Sequence, residues 1–284
     1  MRKTWKWAVT GYNLPDKTHE EIISLCLYAG ISSVEANSRF VHEKSDTEIE
    51  KIRKEYEKAS LKMETFHLPM GQHEDISCFY ETLRRPAVKL MERLIEKAAL
   101  LGSRITILHP SSSPFNVEDE GLEKYMLQMG KSLETLIPAA EKNGILIALE
   151  NMLPGKGGQR LGSDPEHFTL FTGKFAHKNL GFCLDTGHAF VAGGQKGPAV
   201  FFEAMSENLK AFHLQDNAGD RDSHLAPGHG LIDWKTFFGK MKGIRYSGIA
   251  CIEAPPFSPG PNYTYGMDSW KKMVDGTNAL AEKS

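Results

Sequence analysis

The sequence has no apolar run approaching a membrane span, no block of five or six like charges and no Cys-x-x-Cys pair. Each absence excludes something. Without roughly 18 consecutive apolar residues there is no candidate spanning helix, and the start, MRKTWKWAVTGYNLPD, lacks the apolar stretch of a secretory signal. No membrane partner is expected. Lysine and arginine together number 34 against 36 acidic residues, a net charge of −2, which gives no electrostatic footprint for nucleic acid or anionic lipid. No nucleic-acid partner is expected either. The four cysteines, Cys26, Cys78, Cys183 and Cys251, are scattered, so the expectation is free thiols and a cytoplasmic protein. The first apolar run ends TGYNLPD, without the GxGxxG of a dinucleotide-binding doubly wound sheet.

What is present is regular alternation along 284 residues, 40% of them hydrophobic. Strand-like apolar runs occupy 5–13, 33–37, 63–69, 104–110, 145–152, 180–188, 209–217 and 248–255. Segments with 3.6-residue periodicity lie between them, at 18–29, 46–59, 86–101, 118–143, 165–175, 197–208, 233–241 and 267–282. Thr18 followed by Glu21 has the spacing of a capping box, and Gly30, Gly102 and Gly144 stand where a helix would close. Eight strands, each followed by a helix, is the arithmetic of an α/β chain folded as a (β/α)8 TIM barrel, with its active site at the C-terminal ends of the strands. No linker or low-complexity tract divides the chain, so residues 1–284 read as one barrel domain.

Polar residues are concentrated at those strand ends. They are Glu35, His67, His109, Glu150, Asp185, His188, His213, Asp216 and Glu253, with Asp222, His224 and His229 in the loop after the seventh strand. Glu150, Asp185 and Glu253 each follow an apolar run (ILIAL, GFCL, ACI). Unpaired buried carboxylates cost several kcal/mol, and converging ones repel. A divalent metal resolves both problems, because it takes ionised carboxylates and neutral imidazoles in one shell.

The motifs ALEN, CLDTGH, FHLQDN, DSHLAPGHGLIDW and IE, in this order and each after the expected strand, resemble the xylose isomerase-like TIM barrels. That superfamily holds sugar isomerases and epimerases together with apurinic-site nucleases of the endonuclease IV type. For the sugar-isomerising members the resemblance implies one divalent ion held by Glu150, Asp185, His213 and Glu253, with His188 on the substrate. For the nuclease branch it implies three zinc ions, with His67, His109, His188, Asp222 and His224 added to the set. Mixed carboxylate and imidazole ligation fits Mn²⁺ or Zn²⁺ best, with Mg²⁺ or Co²⁺ as alternatives.

The favoured expectation is a metal-dependent isomerase or epimerase acting on a keto or aldo sugar through an enediolate, with Glu150 and Glu253 as paired acid and base. A small carbohydrate is the expected partner, touched by His188, His67, His109, Asp222, His224 and Arg221. A homo-oligomer is compatible with this. The alternatives are an endonuclease IV-like enzyme, against which the scarcity of Lys and Arg near the strand ends weighs, and a keto-sugar or inosose dehydratase or lyase. Some ketose epimerases carry a further Glu where this chain has Lys156, and the Gly-rich loop around it has the composition of a mobile lid or equally of an ordinary surface loop. The loop at 254–266 has no basic residue, which favours a substrate without phosphate. Trp7, Tyr12, Phe40 and Phe66 are the aromatics near the mouth; each could stack on a sugar ring or pack in the barrel.

Overall fold

Each apolar run forms a strand: β1 (Lys6–Thr10), β2 (Ser33–Asn37), β3 (Thr65–His67), β4 (Ile105–Leu108), β5 (Leu146–Glu150), β6 (Leu180–Asp185), β7 (Leu209–Leu214) and β8 (Ile249–Ile252). The computed structural model describes residues 5–112, 117–155, 158–256 and 266–284. Lys156 and most of the 254–266 loop lie outside these. Successive strands pair in parallel, and β8 returns to β1 with Trp7 opposite Ala250 and Val9 opposite Ile252. The sheet is therefore a closed (β/α)8 barrel without an open edge.

The helices are α1 (His19–Ala29), α2 (Asp46–Lys58), α3 (Glu81–Leu100), α4 (Val117–Glu120), α5 (Leu122–Lys142), α6 (Pro165–Phe175), α7 (Thr186–Gly193), α8 (Gly197–Met205), α9 (Trp234–Gly243) and α10 (Met267–Glu282). Thr18 and Glu21 form the expected capping box, and Ser45 and Glu48 form a second one on α2. Gly30 closes α1 at φ 74°, a left-handed position that costs glycine little. The helix expected at 118–143 divides at Gly121, whose φ is 84°.

The strands are apolar on both faces because both are covered. Along each one, side chains alternate between barrel interior and helix layer. Leu149, Leu184, Phe212 and Ile252 pack outward in the large core shared with the helices. The residues before them, Ala148, Cys183, Ala211 and Cys251, fill the narrow interior and are all buried. The residues after them are Glu150, Asp185, His213 and Glu253, which the same alternation returns to the barrel axis one layer higher. Small interior residues below leave room for this polar layer above. All four cysteines are buried free thiols.

The run expected at 180–188 is a strand only as far as Asp185. There the Asp185 carboxylate accepts the backbone N–H of His188 at 2.6 Å and caps α7. An aspartate capping a helix satisfies an otherwise orphaned donor, so the chain turns at once and His188 sits on the first helical turn.

The loop after β7 is organised by Asp216, which is fully buried. Its Oδ1 accepts the N–H groups of Asn217 and Ile232 at 2.9 and 3.2 Å. Its Oδ2 accepts Gly228 N–H and the Trp234 indole at 2.9 and 2.7 Å. A Cβ at Gly230 would collide with Asp216 Oδ1 and the Asn217 backbone. In the DSHLAPGHGLIDW motif, Gly228, Gly230, Ile232 and Trp234 thus hold the loop, while Asp222 and His224 are free to face the mouth. Asp216→Ala leaves several buried donors unsatisfied. The expected cost is about 3 kcal/mol, a fall of about 6–12 °C in Tm by calorimetry.

Candidate metal centre

His213 is the hub of the polar layer. Strand register sets it beside Asp185 on β6 and Cys251 on β8. Its Nδ1 lies 2.9 Å from Glu150 Oε1 and 2.8 Å from Glu253 Oε2, and its Nε2 lies 3.1 Å from Glu35 Oε2. Two further imidazoles approach the other oxygen of Glu150: His109 Nε2 at 3.2 Å and His67 Nε2 at 3.5 Å. The tautomer of His67 is set by Nδ1, which donates to Leu68 O at 2.7 Å and leaves Nε2 a free acceptor toward the cluster.

A second group flanks the first. His188 Nδ1 donates to Asn151 O at 2.8 Å, and His188 Nε2 lies 3.4 Å from Asp222 Oδ2. His224 Nδ1 donates to the Glu253 carbonyl at 2.7 Å, and its Nε2 lies 2.9 Å from the same Asp222 oxygen. His224 has φ 44°, a left-handed conformation rare outside glycine, so the loop holds this ring at a cost in backbone strain.

Three sets of side chains offer atoms within 4.8 Å of one another: Glu150, Asp185, His213 and Glu253; His67, Glu150 and His213; and His188, Asp222 and His224. The donor chemistry fits a divalent cation. Glu150 Oε2, Asp185 Oδ2, Glu253 Oε2 and His67 Nε2 are buried and make no well-formed hydrogen bond, although Glu253 Oε2 lies 2.8 Å from His213 Nδ1 and Glu150 Oε2 lies 3.2 Å from His109 Nε2. Buried polar atoms are rarely left so, and a cluster of acceptors converging on one point is what a cation satisfies.

Charge balance agrees. Burial works to raise the Glu150 and Glu253 carboxyls, but His213 beside both holds Glu150 well below the usual range and Glu253 down to about 2. Burial pushes Asp185 up to about 7, with Glu253, Glu150 and Asp222 adding to the rise against His188. Burial opposes charge on His213, yet Cys183, Glu150, Glu253 and Glu35 around it hold the imidazole well above its ordinary value. The site therefore draws positive charge strongly.

All nine expected residues from His67 to Glu253 meet in this layer or at its rim. Arg221 does not. It is exposed and lies outside the lining of the adjoining cavity, a hollow of ≈ 260 Å³ bounded in part by His109, Glu150, His188, Asp222, His224 and Glu253. The arginine in that lining is Arg160, from the loop after β5. His229 is exposed as well. Trp7, Phe40 and Phe66 are core residues, whereas Tyr12 lies edge-on against His67 with ring centroids 5.5 Å apart.

Three supporting residues carry no role in the sequence reading. Glu35, wholly buried on β2, faces His213 from the far side of the barrel. Gln215 donates from Nε2 to both Asp185 Oδ1 at 3.2 Å and Asp222 Oδ1 at 2.5 Å, which ties the two clusters together. Asn151 brackets the Asp185 backbone through N–H and carbonyl contacts of 2.7 and 2.9 Å. An amide directly after a candidate ligand, as in ALEN, or two residues after one, as in FHLQDN, is the signal for such positioning groups.

The xylose isomerase-like TIM barrel family model matches residues 23–273. An uncharacterized protein of Methanocaldococcus jannaschii is 34% identical over 179 residues, 61% of this chain and 58% of that protein. A protein named "Probable endonuclease 4" from Nitrosopumilus maritimus is 31% identical over 176 residues, 58% of this chain and 57% of that one. The chain thus spans less than two thirds of the length of either relative. Two similar solved structures are a D-tagatose 3-epimerase-like protein (TM-score 0.78, 23% identity, 98% of both chains) and an L-ribulose 3-epimerase (TM-score 0.82, 16% identity, 98% of this chain and 95% of that one). At these identities the structures speak for the barrel fold. With the family model covering most of its length, the chain belongs to the xylose isomerase-like TIM barrel family.

Proposed function

We propose that the protein is a divalent-metal-dependent isomerase or epimerase of a small carbohydrate, with Glu150 and Glu253 exchanging the substrate proton. One observation carries this reading. Two carboxylates, one from the end of β5 and one from just after β8, each with a buried oxygen that makes no well-formed hydrogen bond, border one small hollow whose described lining has a single Lys or Arg. A duplex needs several phosphates neutralised, while a sugar does not.

Glu150, Asp185, His213 and Glu253 would hold the ion. When bound, it supplies Lewis-acid stabilisation of the negative charge that develops on a sugar carbonyl oxygen as a neighbouring C–H proton leaves. Glu150 or Glu253 takes that proton, and the other carboxyl returns one. Return to the opposite face of the same carbon gives epimerisation, and return to the adjacent carbon gives aldose–ketose isomerisation. His188, fixed by Asn151 O, presents Nε2 to a substrate oxygen. Asp185 and Asp222 are kept in register by Gln215. The experiment is incubation of metal-loaded protein with a panel of keto and aldo sugars in deuterated water, read by NMR. One deuteron incorporated at a carbon beside the carbonyl is the expected result. Absence of exchange across the panel counts against the reading, and a dehydrated product would identify an eliminating enzyme instead.

A second reading is favoured by the three clusters themselves. Two of them share Glu150, and together they contain every residue that the nuclease resemblance implies for three zinc ions except His109; endonuclease 4 relatives also align with part of the chain. About three zinc ions per chain together with cleavage of an abasic-site duplex would replace the first reading with this one.

A further inference from the structure

The geometry points to Arg160 as the residue that selects a substrate carrying a terminal anionic group, phosphate or carboxylate, at the end of the molecule away from the carboxylate cluster. The inference rests on the carbohydrate reading above and names the substrate class more narrowly. Among the described residues that line the hollow, Arg160 is the only one with a permanent positive charge; the others are neutral, imidazole or acidic. Its half-buried guanidinium makes no hydrogen bond or ion pair with any described residue, although its backbone is firmly held.

The holding is elaborate for a surface loop. Arg160 N–H donates to Ser163 Oγ at 2.8 Å, and that hydroxyl donates back to Arg160 O at 2.8 Å. Met152 N–H donates to Gly162 O at 2.9 Å, which staples the loop to the exit of β5. Gly162 N–H donates to His167 Nδ1 at 3.0 Å and so ties it to α6. At φ 92°, with Pro110 where a Cβ would stand, Gly162 is at a position only glycine fills comfortably. The backbone is thus fixed at both ends of a short arc, and the side chain extends from it to the cavity wall.

The obvious structural partner does not account for this cation. Asp75 is the strongest influence of opposite charge on Arg160. The Asp75 carboxylate instead takes Ser77 N–H at 2.7 Å and Ser111 Oγ at 3.4 Å. A guanidinium with unused donors, carried on a fixed backbone, matches the planar, two-oxygen edge of a phosphate or carboxylate. Barrels commonly grip phosphate near β7 and β8. In this chain the 254–266 segment has no basic residue, and the cation stands on the β5 loop instead. The absence of charge at 254–266 therefore does not argue for a neutral sugar.

The test is calorimetric binding to the full-length, metal-reconstituted protein. Three ligands are compared: a ketohexose, its 6-phosphate and the corresponding keto-sugar acid. The expected result is that the phosphate ester or the acid binds at least tenfold more tightly than the neutral ketose, and whichever does so identifies the anion. Arg160→Gln should bring that ratio to about one, and Arg160→Lys should restore part of it. A purely structural role for Arg160 would weaken all ligands together and leave the ratio unchanged. Equal binding of all three to the wild type, or an unchanged ratio in Arg160→Gln, overturns the inference alone. Binding of none overturns it together with the carbohydrate reading.

Discussion

Glu150→Gln is expected to lower the rate of substrate C–H exchange by at least about a thousandfold, some 4 kcal/mol in the barrier. Four imidazoles, His67, His109, His188 and His213, lie within 3.6 Å of the Glu150 carboxylate. Its Oε1 meets His213, and its Oε2 is approached by His109 and His67. The amide keeps the volume but removes the charge that would bind a cation, and its NH2 group presents donors where acceptors are needed. Loss should appear in two readouts at once: metal content of the purified variant, and deuterium incorporation after metal is supplied in excess. Exchange at the wild-type rate in Glu150→Gln would remove Glu150 from the mechanism.

Chelation is expected to lower Tm by about 8–16 °C. An ion present at a thousand times its dissociation constant stabilises the folded state by about 4 kcal/mol, and each kcal/mol shifts a chain of roughly this size by about 2–4 °C. Physically, Glu35, Glu150, Asp185 and Glu253 are all buried around His213, and a cation offsets repulsion that folding otherwise has to bear. The effect has a defined pH dependence. Protons compete with the ion for His213, whose imidazole the surrounding groups hold protonated well above its ordinary range, so acidification weakens metal binding and the Tm difference narrows as pH falls. Differential scanning calorimetry with and without chelator at two pH values checks both statements. A Tm indifferent to chelator and to added Mn²⁺ would contradict the assignment.

The barrel was legible because two periodicities alternate without interruption, and because parallel strands covered on both faces read as unbroken apolar runs. The polar layer was legible for a related reason. A carboxylate after ILIAL or GFCL has only the barrel mouth or an unfavourable core to enter, so Glu150 and Asp185 announced themselves. Arg221 and Arg160 were not separable in this way. Both sit in loops, where no alternation fixes the side chain's direction; the loop that carries Arg160 to the hollow is set by backbone N–H groups of Arg160 and Gly162 donating to Ser163 Oγ and His167 Nδ1. The start of α7 was hidden because Asp185 is at once the last residue of a strand, a helix cap and a candidate ligand. Gln215 and Asn151 were visible as motif letters, but their positioning role emerges only when β5, β6 and β7 are side by side. Asp216, a strand-end carboxylate that received no role from the sequence, spends both oxygens on four donors of its own loop.

The central claim is that Glu150, Asp185, His213 and Glu253 form a divalent-metal site. Elemental mass spectrometry tests it most directly, on untagged protein purified without chelator and again after reconstitution with Mn²⁺ or Zn²⁺. The account predicts at least one tightly held ion per chain in the wild type, lost in Asp185→Asn and in Glu253→Gln when both variants remain folded. A wild-type protein that retains no ion after reconstitution, or variants that keep the full complement, would contradict it.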